Sequence, residues 1–208
     1  MFTMVCTVLI GVGLAAPELR LAAESPFVQE DYAEHSKSKG LSFRALACSE
    51  TNAELSLCFR RVKGESLPYV HRDELSKWGL TQDQALQMVK DLSQRQMKPE
   101  NYIKRLIEGS DLVYFSRSNK DGWDPVALLH PKFLSQLVGG EVLVAVPASG
   151  MFVCWKNGNA ERNKIMAVGI REQYQQSSHP VSPNIFQWKN NQWQVWGSAV
   201  EQQRPASQ

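Results

Sequence analysis

Two aspartates in a short polar segment are the first residues of this 208-residue chain whose types and spacing could do chemistry. Asp121 and Asp124 are separated by Gly122-Trp123, so their carboxylates could line one site or bind a cation. Glu141, at the start of an apolar run, is a third acid that would be costly to bury without a partner. The structural alternative is a turn at the first aspartate and a helix cap at the second, just before Pro125.

Cys154 is the remaining candidate nucleophile, although it lies in an apolar run that also fits a buried core thiol. A catalytic thiol needs a lowered pKa and a neighbouring base, which His130 or His179 would have to supply. The chain contains no HExxH, Cys-x-x-Cys, nucleophile-elbow or dinucleotide-binding pattern, and its histidines have no second ligand at metal spacing. We therefore expect no catalytic residue, no metal and no cofactor.

Aromatic residues concentrate after residue 122, where the chain has five tryptophans, more than a core of this size normally requires. Residues 185–188 and 193–196 flank a polar turn and predict a terminal hairpin, with Trp196 opposite Phe186 or Trp188. An exposed aromatic patch is typical of a surface that binds peptide, glycan or protein. The candidate binding residues are Trp123, Trp188, Trp193, Trp196, Asp121 and Asp124. The alternative is that the tryptophans form a small core between the hairpin and the helices.

The overall charge excludes some kinds of partner. A net charge of +2, without a run of five or six like charges, is too small to attract nucleic acid or an anionic membrane surface. We expect a protein or peptide partner, no nucleic acid, and membrane contact only through an uncleaved N-terminal segment.

Hydrophobic periodicity predicts helices and hairpins without a regular alternation of strand and helix. Thr81 and Gln84 form a capping box for one helix, and Pro99 begins a second, shorter helix that ends at Gly109. Residues 141–146 are a continuous apolar run, which is typical of a strand buried on both faces. The chain is therefore expected to be α+β, with a mostly antiparallel sheet and helices packed on one side, as a single domain or two small lobes.

The N-terminal segment predicts the compartment. Residues 1–17 are uncharged and almost all apolar, but too few to span a bilayer comfortably. We interpret residues 1–23 as a signal peptide that is cleaved after Ala15 or Ala23. The segment lacks the basic residue that usually begins a signal peptide. The alternatives are an uncleaved anchor, a misplaced start codon and a buried strand. Residues 24–40 are a polar linker, 41–197 the globular domain and 198–208 a polar tail. The expected location is periplasmic or secreted, and the alternatives are membrane-anchored or cytoplasmic.

Cys48 and Cys58 flank a segment with a turn-like centre near Ala53. Two strands that fold back at this point would place the two cysteines opposite each other, at a spacing close to that of a disulfide. Either a disulfide or two small core thiols fits this pattern.

Three blocks of the sequence resemble the YtpQ-like family, a group of bacterial proteins of unknown function. The matching segments are Trp78-Gly79-Leu80-Thr81, Asp121-Gly122-Trp123-Asp124, Leu128-Leu129-His130-Pro131, residues 141–147 and His179-Pro180-Val181-Ser182. The resemblance covers residues 41–197 and implies a fold but no reaction. The chain departs from the family at Ala148-Ser149-Gly150, where an Asn-Arg-Asp turn is usual. Its leader is a second departure, because family members are usually cytoplasmic.

Three functions are compatible with these patterns. The first is a non-enzymatic binding or accessory domain, favoured because an aromatic surplus occurs without a catalytic motif. The second is a hydrolase-like enzyme that uses Asp121, Asp124, Glu141 or Cys154 in a cleft, which requires at least two of these side chains in one pocket. The third is an immunity-like inhibitor protein, by analogy with other small secreted α+β domains.

Overall fold

The computed structural model describes residues 18–24, 48–52, 55–63, 65–66, 68–117 and 124–199. The strands of these residues are β1 (Leu19–Glu24), β2 (Cys48–Asn52), β3 (Leu55–Arg61), β4 (Ile103–Leu106), β5 (Val113–Arg117), β6 (Val142–Ala148), β7 (Met151–Lys156), β8 (Asn184–Lys189) and β9 (Gln192–Ser198). The α-helices are α1 (Arg72–Lys77), α2 (Gln82–Ser93), α3 (Pro131–Val138) and α4 (Ala160–Gln176). Short 3₁₀ helices are formed by Gln94–Gln96, Pro99–Asn101 and Pro125–Leu129.

The larger sheet has six antiparallel strands in the order β4-β5-β7-β6-β8-β9. Strand β6 lies inside it and is buried over Val142–Pro147, which confirms the prediction from the apolar run. Alternation along β6 sends Val144 into the cluster that contains Leu134 of α3, and Leu143 into the cluster that contains Met166 of α4. Helices therefore cover both faces of this sheet, because both faces of β6 are apolar, whereas we expected helices on one side.

The smaller sheet has three antiparallel strands in the order β1-β3-β2. Its buried residues Leu21 and Phe59 belong to the same core cluster as Val144 and Phe186 of the larger sheet. Helix α2 and the 3₁₀ helix Pro125–Leu129 both contact β1. One continuous core joins the two sheets, and the α+β fold with mostly antiparallel strands is confirmed.

Strand β1 falls inside the segment that we interpreted as a leader. Leu19, Leu21 and Ala23 are each no more than 1% exposed and belong to the main core. Cleavage after Ala23 would remove this core strand, so the described domain begins before residue 24 rather than at residue 41. Cleavage after Ala15 stays a prediction. The proposed linker, apart from Glu24, lies outside the described residues.

A polar cluster fixes the end of β1 to its neighbours. The Tyr69 hydroxyl donates to the Glu24 carboxylate, and the Arg60 guanidinium lies 3.4 Å from that carboxylate and 4.0 Å from the centre of the Tyr69 ring. Burial and the negative charge of Glu24 raise the pKa of Tyr69 to about 12, so the phenol stays protonated and keeps donating.

Three local signals of the sequence, one helix cap and two hairpins, are confirmed. Thr81 accepts a hydrogen bond from the backbone of Gln84, and the Gln84 side chain accepts one in return, which completes the capping box of α2. Strands β2 and β3 form the expected hairpin and place Cys48 opposite Cys58. The terminal hairpin also forms, and the two residues of its turn, Asn190 and Asn191, both adopt the left-handed conformation of a tight turn.

The predicted helix from Pro99 to Gly109 is wrong. Only Pro99–Asn101 is helical, as a 3₁₀ turn, and the chain then extends as β4 and pairs with β5. The apolar spacing of residues 102–107 fits either structure. The turn after β4, closed by the Ile107 amide bound to the Leu112 carbonyl at 3.0 Å, decides in favour of a hairpin.

Candidate functional site

Two of the three acids singled out from the sequence have structural partners. Asp124 is buried, its Oδ1 lies 3.3 Å from Nε of the buried Arg117, and its side chain makes no cap bond to the following 3₁₀ helix. The interpretation of Asp124 as a helix cap is therefore wrong, because the guanidinium takes the carboxylate instead. Glu141 is exposed and accepts a 2.7 Å hydrogen bond from the Asn157 side chain. Asp121 lies outside the described residues.

Cys154 is a free thiol with no exposed surface. Burial raises its pKa, so it remains a protonated thiol at neutral pH and is a poor nucleophile. The Tyr102 ring and the ion pair of Arg117 and Asp124 are buried in the same region as Cys154. Burial raises the pKa of Tyr102 as well. Asp124 and Cys154 are therefore both buried, whereas Glu141 lies at the surface.

The tryptophans divide between core and surface. Trp155 and Trp193 are buried, and the indole of Trp193 donates a 2.8 Å hydrogen bond to the Leu128 carbonyl, which fixes the terminal hairpin to the 3₁₀ helix below it. Trp188 is half-buried and packs edge-to-face on Trp193, with ring centres 5.2 Å apart. The small-core alternative therefore holds for the first two, and Trp188 remains available at the surface.

Trp196 is exposed, with 42% of its surface accessible, but its predicted position is wrong. Trp188 lies opposite Trp193 and Phe186 opposite Val195, whereas Ile185 pairs with Gly197. The register shift leaves Trp196 at a bulge, where one strand has an extra residue. Trp196 therefore faces neither predicted partner. Trp123 lies outside the described residues.

A groove between the terminal hairpin and helices α2 and α3 is the best candidate site. We call it the hairpin groove, and its volume of about 620 Å³ falls within the range typical of ligand pockets. It is lined by Lys90, Gln94, Met97, Leu129, His130, Pro131, Lys132, Phe133, Gln136, Trp188 and Asn191. Trp188, the one sequence-predicted binding residue in this lining, therefore faces a cavity.

The groove has a positive rim and an aromatic wall. Lys90 and Lys132 are exposed at its edge, and Phe133 and Trp188 are half-buried beside them. None of these lining residues, all in the described part of the chain, is acidic. The groove is thus suited to a group that combines negative charge with an apolar surface.

Helix α3 begins in the wall of the same groove. Its N-cap, His130, makes no side-chain cap bond, and Pro131 occupies the first turn. The first intrahelical bond runs from the Leu134 amide to the His130 carbonyl at 3.2 Å, so the amides of Lys132 and Phe133 have no acceptor within the helix. The start of the helix adds partial positive charge to that of the lysines.

A buried contact between Ser93 and His130 supports the floor of the groove. The Ser93 oxygen and His130 Nε2 are 2.8 Å apart, and the Ser93 hydroxyl donates to the Lys90 carbonyl at 2.8 Å. A hydroxyl has one hydrogen to donate, so in this arrangement the imidazole donates to Ser93 instead of accepting its proton. The pair therefore joins α2 to α3 and is not an activated nucleophile.

Sequence reasoning missed this pair because its members are 37 positions apart. The available signal was His130-Pro131, which belongs to one of the segments that resemble the YtpQ-like family. Burial and the positive charge of Lys90 lower the pKa of His130, which keeps the ring neutral at pH 7. In the described part of the chain, no group of three or more His, Cys, Asp or Glu side chains could hold a metal ion.

The fold and the groove define a small α+β domain with an open, cationic and aromatic cleft. No family model, curated protein or solved structure matches the chain. None of the described helices has the length and apolar character needed to cross a membrane.

Proposed function

We propose that this protein is a non-enzymatic binding domain whose hairpin groove takes an acidic segment of a protein or peptide partner. The observation that carries the proposal is the combination of Trp188 with Lys90 and Lys132 around one cavity of about 620 Å³. Aromatic anchors in partly desolvated pockets dominate the affinity of many interfaces, and cations at the rim favour acidic partners.

The buried partners of Trp188 support its role as an anchor. The ring of Trp193 packs against the ring of Trp188, with the ring centres 5.2 Å apart. Trp193 is itself fixed by the hydrogen bond from its indole to the Leu128 carbonyl. A side chain held in this way loses little conformational freedom when a ligand packs on it. The groove therefore offers a preorganised apolar surface within reach of two positive charges.

We further propose that the domain works outside the cytoplasm. The apolar segment before residue 18 supports export, and Cys58 is disulfide-bonded. Disulfides persist mainly in oxidising compartments such as the periplasm and the extracellular space. Intact-mass measurement of the native protein from periplasmic and cytosolic fractions tests this location. The expected species has lost residues up to Ala15 and contains one disulfide, whereas a full-length reduced protein in the cytosol would contradict export.

Selection of peptides from a phage-displayed random library tests the proposed binding without assuming a natural partner. We expect the selected sequences to contain acidic residues next to an aromatic or aliphatic residue. The best of them, made synthetically, should bind the Lys90→Glu/Lys132→Glu variant on the order of tenfold or more weakly, because the attraction to its acids becomes repulsion.

The matched control is Lys164→Glu, which reverses an exposed lysine on α4, away from the groove. This variant should bind the selected peptide like the unmodified protein. Selection of basic or sequence-independent peptides would argue against the proposal, as would equal losses of affinity in the groove and control variants.

A further inference from the structure

We propose that β4 is a second interaction surface, at which an acidic extended peptide adds a strand to the larger sheet. Within the described residues β4 pairs only with β5, so its other side is an open edge. All four residues of β4 are exposed, so no other element of the described residues covers them. This surface shares no residue with the hairpin groove and stands independently of the function proposed for that groove.

The register of the hairpin shows which backbone groups of β4 face outward. Ile107 and Leu112 form a hydrogen-bonded pair at the turn, and the same register continues through Leu106 opposite Val113. Hydrogen-bonded and non-bonded pairs alternate along an antiparallel ladder. The amides and carbonyls of Lys104 and Leu106 therefore point away from β5 and can pair with an added strand.

The side chains of β4 specify the chemistry of that strand. Ile103 and Leu106 are 52% and 64% exposed, and between them lie the exposed cations Lys104 and Arg105. The strand that best complements β4 would therefore place an apolar, an acidic, an acidic and an apolar residue opposite these four residues. Apolar side chains would then cover the exposed isoleucine and leucine, and the carboxylates would face the two cations.

The same charges disfavour pairing between two copies of this chain. Antiparallel pairing of β4 with itself would bring Lys104 and Arg105 close to the same residues of the copy, and like charges across a ladder are destabilising. The nearest acids along the chain, Glu100 and Glu108, lie outside the strand, and the next one, Asp111, is ion-paired with Arg162. An acidic peptide is therefore the better match for this edge than a second copy.

Amide hydrogen exchange measured by NMR tests strand addition directly. The probe is an acetylated and amidated peptide of sequence Thr-Val-Glu-Glu-Val-Thr, and its control is Thr-Val-Lys-Lys-Val-Thr. The acidic probe should slow exchange at the amides of Lys104 and Leu106 at least tenfold at saturation, and should leave the Arg105 amide, already bonded to β5, nearly unchanged. Absence of binding, or binding without this alternating protection, would overturn the proposal. Protection that increases with protein concentration without peptide would also overturn it, by showing pairing between copies.

Two sets of variants separate strand addition from simple charge attraction. Leu106→Pro removes an outward amide, whereas Leu106→Ala removes the side chain and keeps that amide. The proline variant should bind the acidic probe about fivefold to tenfold more weakly than the alanine variant, as expected for one lost hydrogen bond. The Lys104→Glu/Arg105→Glu variant should lose the acidic probe and gain the lysine probe. Equal affinity of the proline and alanine variants, or no exchange of preference, would contradict the proposal. Unchanged NMR spectra for β5 to β9 would confirm that each variant is folded.

Discussion

Asp124 shows how a single residue can satisfy a local pattern and still do something else. The aspartate before Pro125 fits a helix cap, but its carboxylate pairs with Arg117 from the end of β5. Local sequence could not reveal this contact, because the arginine and the aspartate belong to different elements. Thr81 could be predicted, because both partners of its capping box lie within four positions.

Asp124→Asn is expected to destabilise the protein by about 3 to 5 kcal/mol, because it leaves the Arg117 charge buried without its counter-ion. Urea-induced unfolding measures this change in the free energy of unfolding. The double variant Arg117→Met/Asp124→Leu should be more stable than Asp124→Asn, since it removes both buried charges. A loss below about 1 kcal/mol in Asp124→Asn would show that the ion pair is not important for the fold.

His130 should make stability depend on pH on the acidic side. Its pKa in the folded protein lies below the ordinary value because of burial and Lys90, so the unfolded chain binds a proton more readily. Stability is therefore fully present above about pH 6.5 and falls as the pH drops toward the folded-state pKa. The free energy of unfolding, measured between pH 5 and pH 8, should decrease less steeply with acidification in His130→Gln. Parallel curves for the two proteins would contradict this assignment.

The sequence predicts hairpins better than the other elements, but in the terminal hairpin it misses a bulge of one residue. The terminal hairpin was placed correctly, yet the bulge that displaces Trp196 leaves no signal in the alternation of residues. The helix predicted after Pro99 is wrong because the same apolar spacing also fits a strand, and pairing with β5 favours the strand. Pairing between strands is decided by tertiary contacts, which local periodicity does not contain.

The hairpin of β2 and β3 contains the two cysteines for which the sequence predicts a possible disulfide. Cys58 is disulfide-bonded and Cys48 is its register partner, and the bond between these two residues stays a prediction. Mass spectrometry of proteolysed, unreduced protein should find them linked, and reduction should lower stability by about 3 kcal/mol, as expected for a loop of this length. Cys154 should react with an alkylating reagent only after unfolding, since it is fully buried. A link from Cys58 to Cys6, or a reactive Cys154 in the native protein, would contradict this account.

At the scale of the whole molecule, the sequence predicts the α+β class but not the arrangement that creates the hairpin groove. The class follows from interleaved helix and hairpin patterns. The groove needs α2, α3 and the terminal hairpin to meet, and these elements lie far apart along the chain. Trp188 was identified as a binding residue by composition, whereas Lys90 and Lys132 had no signal of their own. Membership of the YtpQ-like family also stays a prediction.

Site-specific photo-crosslinking tests the central claim, that the protein acts by binding a partner in the hairpin groove. A benzophenone amino acid would replace Asn191 at the groove or, as the control, Gln175 on α4, both of which are exposed. In cells that make the protein natively, we expect a discrete protein adduct from position 191, none from position 175, and loss of the adduct in the Lys90→Glu/Lys132→Glu background. Equal adducts from both positions, or an adduct that survives the charge reversal, would contradict a binding site in the groove.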